Sequence, residues 1–134
     1  MSWAHNSYSV RPETYDISEN VNMTTAEYAG KDWDAIMRPR IRELAGLIHE
    51  LERRGCKILL FELPYPPELR DNAYTRVSRR LAREAFPENG RWLPISDEEL
   101  RWVDANHMDE RSAILVARQI DDHLANFQLA RPRR

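Results

Sequence analysis

Two side chains in this sequence have the types and spacing for acid–base chemistry. Asp104 and His107 lie three residues apart in Arg101-Trp102-Val103-Asp104-Ala105-Asn106-His107-Met108-Asp109-Glu110, directly before an amphipathic run. In a loop, that spacing lets the carboxylate reach the imidazole Nδ1–H. The tautomer is then fixed, and Nε2 is left to take a proton from a nucleophile. The positive end of the following helix disfavours imidazolium while the carboxylate favours it, a balance that suits a general base. A bare Asp-x-x-His is more often structural than catalytic, so its surroundings must carry the argument.

Other chemistry finds less support. A metal site could combine Asp104, His107 and His123, but no His-Glu-x-x-His element or cysteine pair accompanies them, so neither metal nor cofactor is expected. His49 sits beside Glu50 and Glu52 and reads as solvated, and Cys56 reads as a small residue opening a buried strand. The four glycines, Gly30, Gly46, Gly55 and Gly90, form neither a Walker loop nor a dinucleotide fingerprint.

Positioning the pair requires a scaffold, and hydrophobic periodicity outlines one. Residues 1–32 read as an irregular segment, with Ser7-Tyr8-Ser9-Val10 as a candidate edge strand. From Trp33 the pattern turns helical: Ile41, Leu44, Leu47, Ile48 and Leu51 form one apolar stripe, Gly55 marks the end, and Pro39 is placed near the first turns. The continuous apolar run Lys57–Leu63 reads as a strand covered on both faces, stopped by Pro64-Tyr65-Pro66-Pro67. A second helix carries Tyr74, Val77, Leu81 and Ala85, and Arg91–Ile95 reads as a short strand. Ser96-Asp97-Glu98-Glu99 reads as a capped helical turn, and a final helix runs from about Asp109 to Phe127.

Helix–strand–helix–strand–helix order implies α/β layering with parallel strands and right-handed crossovers. The expected organisation is an irregular 1–32, an α/β domain over 33–129 and a polar tail at 130–134. Two strands are too few for a free-standing buried parallel sheet. More strands must come from the first 30 residues, from another chain, or from a larger protein.

Taken together, the strand ending in Leu63-Pro64-Tyr65-Pro66-Pro67, the following helix and short strand, and the Asp104-x-x-His107 block before a closing helix resemble the C-terminal half of the SGNH hydrolases. These are also called GDSL esterases and lipases, and the likeness covers residues 33 to 127. That family's last block is D-x-x-H, so the resemblance makes Asp104 the orienting acid and His107 the general base. It implies a three-layer, flavodoxin-like α/β sandwich and serine-dependent ester hydrolysis or acyl transfer, with an ester or acylated carbohydrate as substrate. The family's Gly-Asp-Ser-like and Gly-x-Asn-Asp-like blocks are not recognisable. Asn6-Ser7 lacks a preceding apolar strand, and Asn20-Val21-Asn22 lacks the glycine. The nucleophile and oxyanion donors are therefore not identified in this chain. The alternative is a non-catalytic interaction domain that retains part of such a fold, paired with a second copy or a partner chain.

Composition narrows the partners. The 134 residues carry 20 Lys plus Arg against 22 Asp plus Glu, a net charge of −2, which argues against nucleic acid as a partner. Charged residues make up 31%, and no apolar run approaches a membrane span. Arg70, Arg76, Arg79, Arg80 and Arg83 make the second helix region basic, a solvated face with salt bridges or else a docking face for an acidic partner. A single cysteine and the absence of an apolar core in Met1–Val10 suit a reducing cytoplasm. Tyr65, Trp92 and Trp102 are candidate pocket aromatics.

Overall fold

The structure, a computed structural model, describes residues 15 to 129. Four α-helices dominate it: α1 (Ser18–Tyr28), α2 (Trp33–Arg53), α3 (Ala73–Ala85) and α4 (Glu110–Leu129). Between them lie β1 (Leu60–Phe61) and β2 (Trp92–Leu93), with 3-10 turns at Pro67–Leu69 and Asn89–Arg91. The expected edge strand at Ser7–Val10 and the tail at 130–134 fall outside the described residues.

The three-layer α/β sandwich is not what forms. The sheet is a single parallel pair, Leu60 opposite Trp92 and Phe61 opposite Leu93. A strand persists only where a neighbour receives its hydrogen bonds, and the apolar run 57–63 meets one other extended segment. Phe61 and Leu63 are therefore 40% and 50% exposed rather than covered on both faces. Cys56, expected to open a buried strand, is exposed. Nor are residues 1–32 irregular throughout, because α1 lies inside them. It buries Val21 and Thr24 although its sequence has almost no amphipathic pattern.

Local chemistry explains the helix boundaries. Asp32 caps α2 by accepting a hydrogen bond from the Ala35 amide at 3.1 Å, and Asn72 caps α3 through the Thr75 amide at 2.9 Å. Because α2 starts at Trp33, Pro39 lies inside the helix and removes one backbone donor there. At Ser96–Glu99 there is a turn rather than a helix. Ser96 Oγ accepts from the Glu98 amide, but Glu99 adopts φ +63°, which ends any helical path.

Packing is densest between α2 and α3, where Leu81 is buried near Ile41. The α2 stripe is only half covered: Ile48 is 7% exposed, while Leu44, Leu47 and Leu51 are 46%, 59% and 42% exposed. An aromatic group joins α1, α2 and α3. Tyr28 stacks on Tyr74 at 4.4 Å, and Trp33 meets both edge-on and donates its indole N–H to the Tyr28 carbonyl. A second small core unites α1 with two loops: Val21, Leu69 and Ala105 are buried together, with Ile17 and Tyr65 against them.

Candidate acid–base site

The Asp104–His107 loop is a tight reversal closed by backbone bonds. Trp102 pairs antiparallel with Met108, the Val103 amide donates to the His107 carbonyl at 2.9 Å, and the Asp109 amide donates to the Arg101 carbonyl at 2.9 Å. Inside the turn, Asp104 Oδ1 accepts from the amides of Asn106 and His107, both at 2.8 Å. An aspartate is suited to this place because its short side chain can bond amides two and three residues ahead.

The same carboxylate holds the imidazole. His107 Nδ1 lies 3.0 Å from Asp104 Oδ1 and 2.9 Å from Oδ2. With the carboxylate ionised, Nδ1 carries the proton and Nε2 presents its lone pair outward. The Asn106 amide, followed by the His107 side chain, holds the Asp104 carboxyl below its usual range. The His107 side chain is 75% exposed, and that of Asp104 35%.

Two anchors hold this loop in place. On one side Ala105, 2% exposed, packs into the core with Val21 and Leu69. On the other, α4 begins. Asp109 Oδ1 accepts from the Ser112 amide at 2.8 Å as an N-cap, and its carboxylate meets Arg101 at 2.7 Å. Ser112 is fully buried, and its Oγ accepts from the Arg101 amide at 2.7 Å. Burial raises the Asp109 carboxyl, but the Ser112 hydrogen bonds and Arg101 outweigh it and leave the group below its ordinary value.

The chain matches no protein-family model, and no curated protein or solved structure matches it either.

Asp104 and His107, paired by spacing alone, are thus brought into contact, whereas His123 is not part of the same group. Its Nε2 lies 2.7 Å from the Pro94 carbonyl, and among the described residues no three His, Cys, Asp or Glu side chains gather as a metal site. Among the described residues no serine, threonine or cysteine hydrogen-bonds His107. Ser112, the nearest serine in sequence, is spent on structure.

The supporting residues Ala105, Asp109 and Ser112 escaped the sequence reading. A signal for two of them was present: Asp109 stands three residues before Ser112 at the start of an apolar helix, an N-terminal capping pattern. Nothing local marks Ala105 as buried.

Most arginines of the basic region are paired: Arg70 with Asp97, Arg79 with Glu62 at 2.6 Å, and Arg80 with Asp34 at 2.5 Å. Tyr65 and Trp92 line clefts, while Trp102 sits in the bridge that closes the dyad loop. No described helix is long and apolar enough to cross a membrane.

Proposed function

We propose that Asp104 and His107 are the orienting acid and general base of serine-dependent acyl chemistry, ester hydrolysis or acyl transfer, as in the SGNH hydrolases. The observation that carries this reading is the contact of both Asp104 oxygens with Nδ1, at 2.9 and 3.0 Å, on a loop tied down at both ends. The carboxylate fixes the Nδ1–H tautomer, and Nε2 accepts the proton of an attacking hydroxyl. The imidazolium formed is stabilised by Asp104 until it returns the proton to the leaving group. The exposed imidazole is a base without an enclosing site, so the serine and oxyanion donors come from another segment or chain. The substrate class is an ester or an acylated carbohydrate.

Labelling with a fluorophosphonate, followed by intact-mass measurement and peptide mapping, tests this directly. One adduct that vanishes in His107→Ala supports the dyad. An adduct that persists in His107→Ala overturns it.

A second reading, a non-catalytic interaction domain, is favoured by the half-covered α2 stripe and by the exposed Phe61 and Leu63. It expects a dimer or a complex in light scattering, and a monodisperse monomer counts against it.

A further inference from the structure

Beyond the dyad, the carboxyl ends of the two parallel strands open into a cleft. A cavity of about 300 Å³ lies between the segments that follow β1 and β2, flanked by α3. A second of about 200 Å³ adjoins it, and the two share Glu62, Leu63, Tyr65, Arg79 and Arg83. The combined size falls in the range of small-molecule sites.

One guanidinium of this cleft has no carboxylate partner among the described residues. Three guanidiniums, Arg70, Arg79 and Arg83, face two carboxylates, Glu62 and Asp97. Arg70 pairs with Asp97, and Arg79 with Glu62 at 2.6 Å and, at the edge of the cleft, with Asp71 at 3.7 Å. Arg83 meets no carboxylate among the described residues. Its guanidinium centre instead lies 3.9 Å over the Trp92 ring. Stacking holds the planar group by its face and leaves its in-plane N–H donors available, an arrangement suited to a carboxylate or similar oxyanion. Apolar wall is close by, from Leu63, Tyr65 and Ile95 in the larger cavity and from Phe61 and Ala82 in the smaller.

We propose that this cleft binds a small monoanion attached to an apolar body, with Arg83 as its anchor. The Arg83 guanidinium, paired with no carboxylate among the described residues, matches one negative charge, and the adjoining apolar cavity receives the body. The site contains neither Asp104 nor His107, and binding there requires no turnover, so it stands or falls independently of the dyad.

Octanoate is the probe, with 1-octanol as its uncharged counterpart, followed by ¹H–¹⁵N spectra. The Trp92 indole N–H, which donates to the Phe86 carbonyl at 2.8 Å, is a local reporter. Octanoate is expected to shift the Trp92 indole and Arg83 Nε signals, and octanol to bind about ten-fold more weakly or worse. Arg83→Gln should weaken octanoate by a similar factor, and His107→Ala should leave it unchanged. Arg83→Lys, which keeps the charge but loses the fork, should fall between parent and Arg83→Gln, so the argument survives an unstable glutamine variant. Equal affinity of parent and variants overturns the proposal. So do equal shifts with octanol, or shifts confined to Leu44 and Leu47 on the exposed α2 stripe.

Discussion

Asp104 uses one oxygen for two tasks: Oδ1 accepts the amides of Asn106 and His107 at 2.8 Å and also lies 3.0 Å from His107 Nδ1. The carboxylate that shapes the turn is therefore the one that orients the imidazole. Asp104→Asn separates the two tasks. The amide oxygen can still accept the backbone bonds, but it cannot stabilise an imidazolium, and its NH₂ favours the opposite tautomer. The expected outcome is a folded protein whose fluorophosphonate labelling falls by at least about a hundred-fold. Labelling equal to the parent's would show that Asp104 only shapes the loop.

Acid should loosen this region in a defined window. Asp104 and Asp109 both have folded pKa values below their ordinary ones. A depressed carboxyl stabilises the fold above the unfolded value, about 3.9, and that contribution is lost as pH falls through the folded value. The Ser112 amide, bonded to Asp109, should therefore hold steady from pH 8 to about pH 5 and move only below about pH 4. A transition of that signal centred above pH 5 would contradict this placement of Asp109.

The N-cap of α4 gives a stability prediction. Asp109→Ala removes the acceptor for the Ser112 amide and should cost about 1–2 kcal/mol, while Asp109→Asn, which keeps the acceptor, should cost less. Ser112→Ala deprives the Arg101 amide of its partner inside a buried site and should cost about 1–3 kcal/mol. Urea unfolding reads all three, and an Asn variant as damaged as Ala would refute the capping role.

The α2 stripe shows what periodicity could reveal and what it could not. Ile48 and Leu47 are adjacent members of one predicted apolar face, yet one is 7% exposed and the other 59%. A 3.6-residue period shows that a face is apolar; it does not show that a partner exists to cover it. A parallel pairing was legible because uninterrupted hydrophobicity demands neighbours, but of the expected strands 57–63 and 91–95 only Leu60–Phe61 and Trp92–Leu93 pair. The sandwich was not, because sheet size depends on segments remote in sequence. Helix α1 was missed because Val21 is buried by Leu69 and Ala105 from remote segments, and no repeat announces this. At the site the Asp104–His107 spacing was legible because the turn is local. Ala105 was not, since its burial comes from Leu69 and Val21 far along the chain.

Those adjacent residues should respond in opposite ways. Ile48→Ala opens a cavity under α2 and should cost about 2–5 kcal/mol. Leu47→Glu puts a charge on an exposed position, should change stability by less than about 0.5 kcal/mol, and should reduce any self-association seen by light scattering. If Leu47→Glu unfolds the protein, the stripe is more covered than its exposure indicates.

Ala105 links the core to the dyad, and enlarging it tests whether packing sets the Asp104–His107 geometry. Its methyl lies against Leu69, fully buried, and Val21, 9% exposed, so the neighbours have little room to yield. Ala105→Leu should cost about 1–3 kcal/mol through overpacking. The strain should fall on the turn, because the exposed loop gives way more readily than α1 and the Pro67–Leu69 turn beneath it. Asp104 and His107 flank the displaced residue, so their contact should lengthen and fluorophosphonate labelling should drop, while amides in the α2–α3 seam stay in place. Ala105→Ser, nearly the same size, should leave the turn where it is. If Ala105→Leu is as unstable as expected but His107 ring signals and labelling match the parent's, the dyad is held by its own hydrogen bonds and the core beneath it is dispensable for geometry.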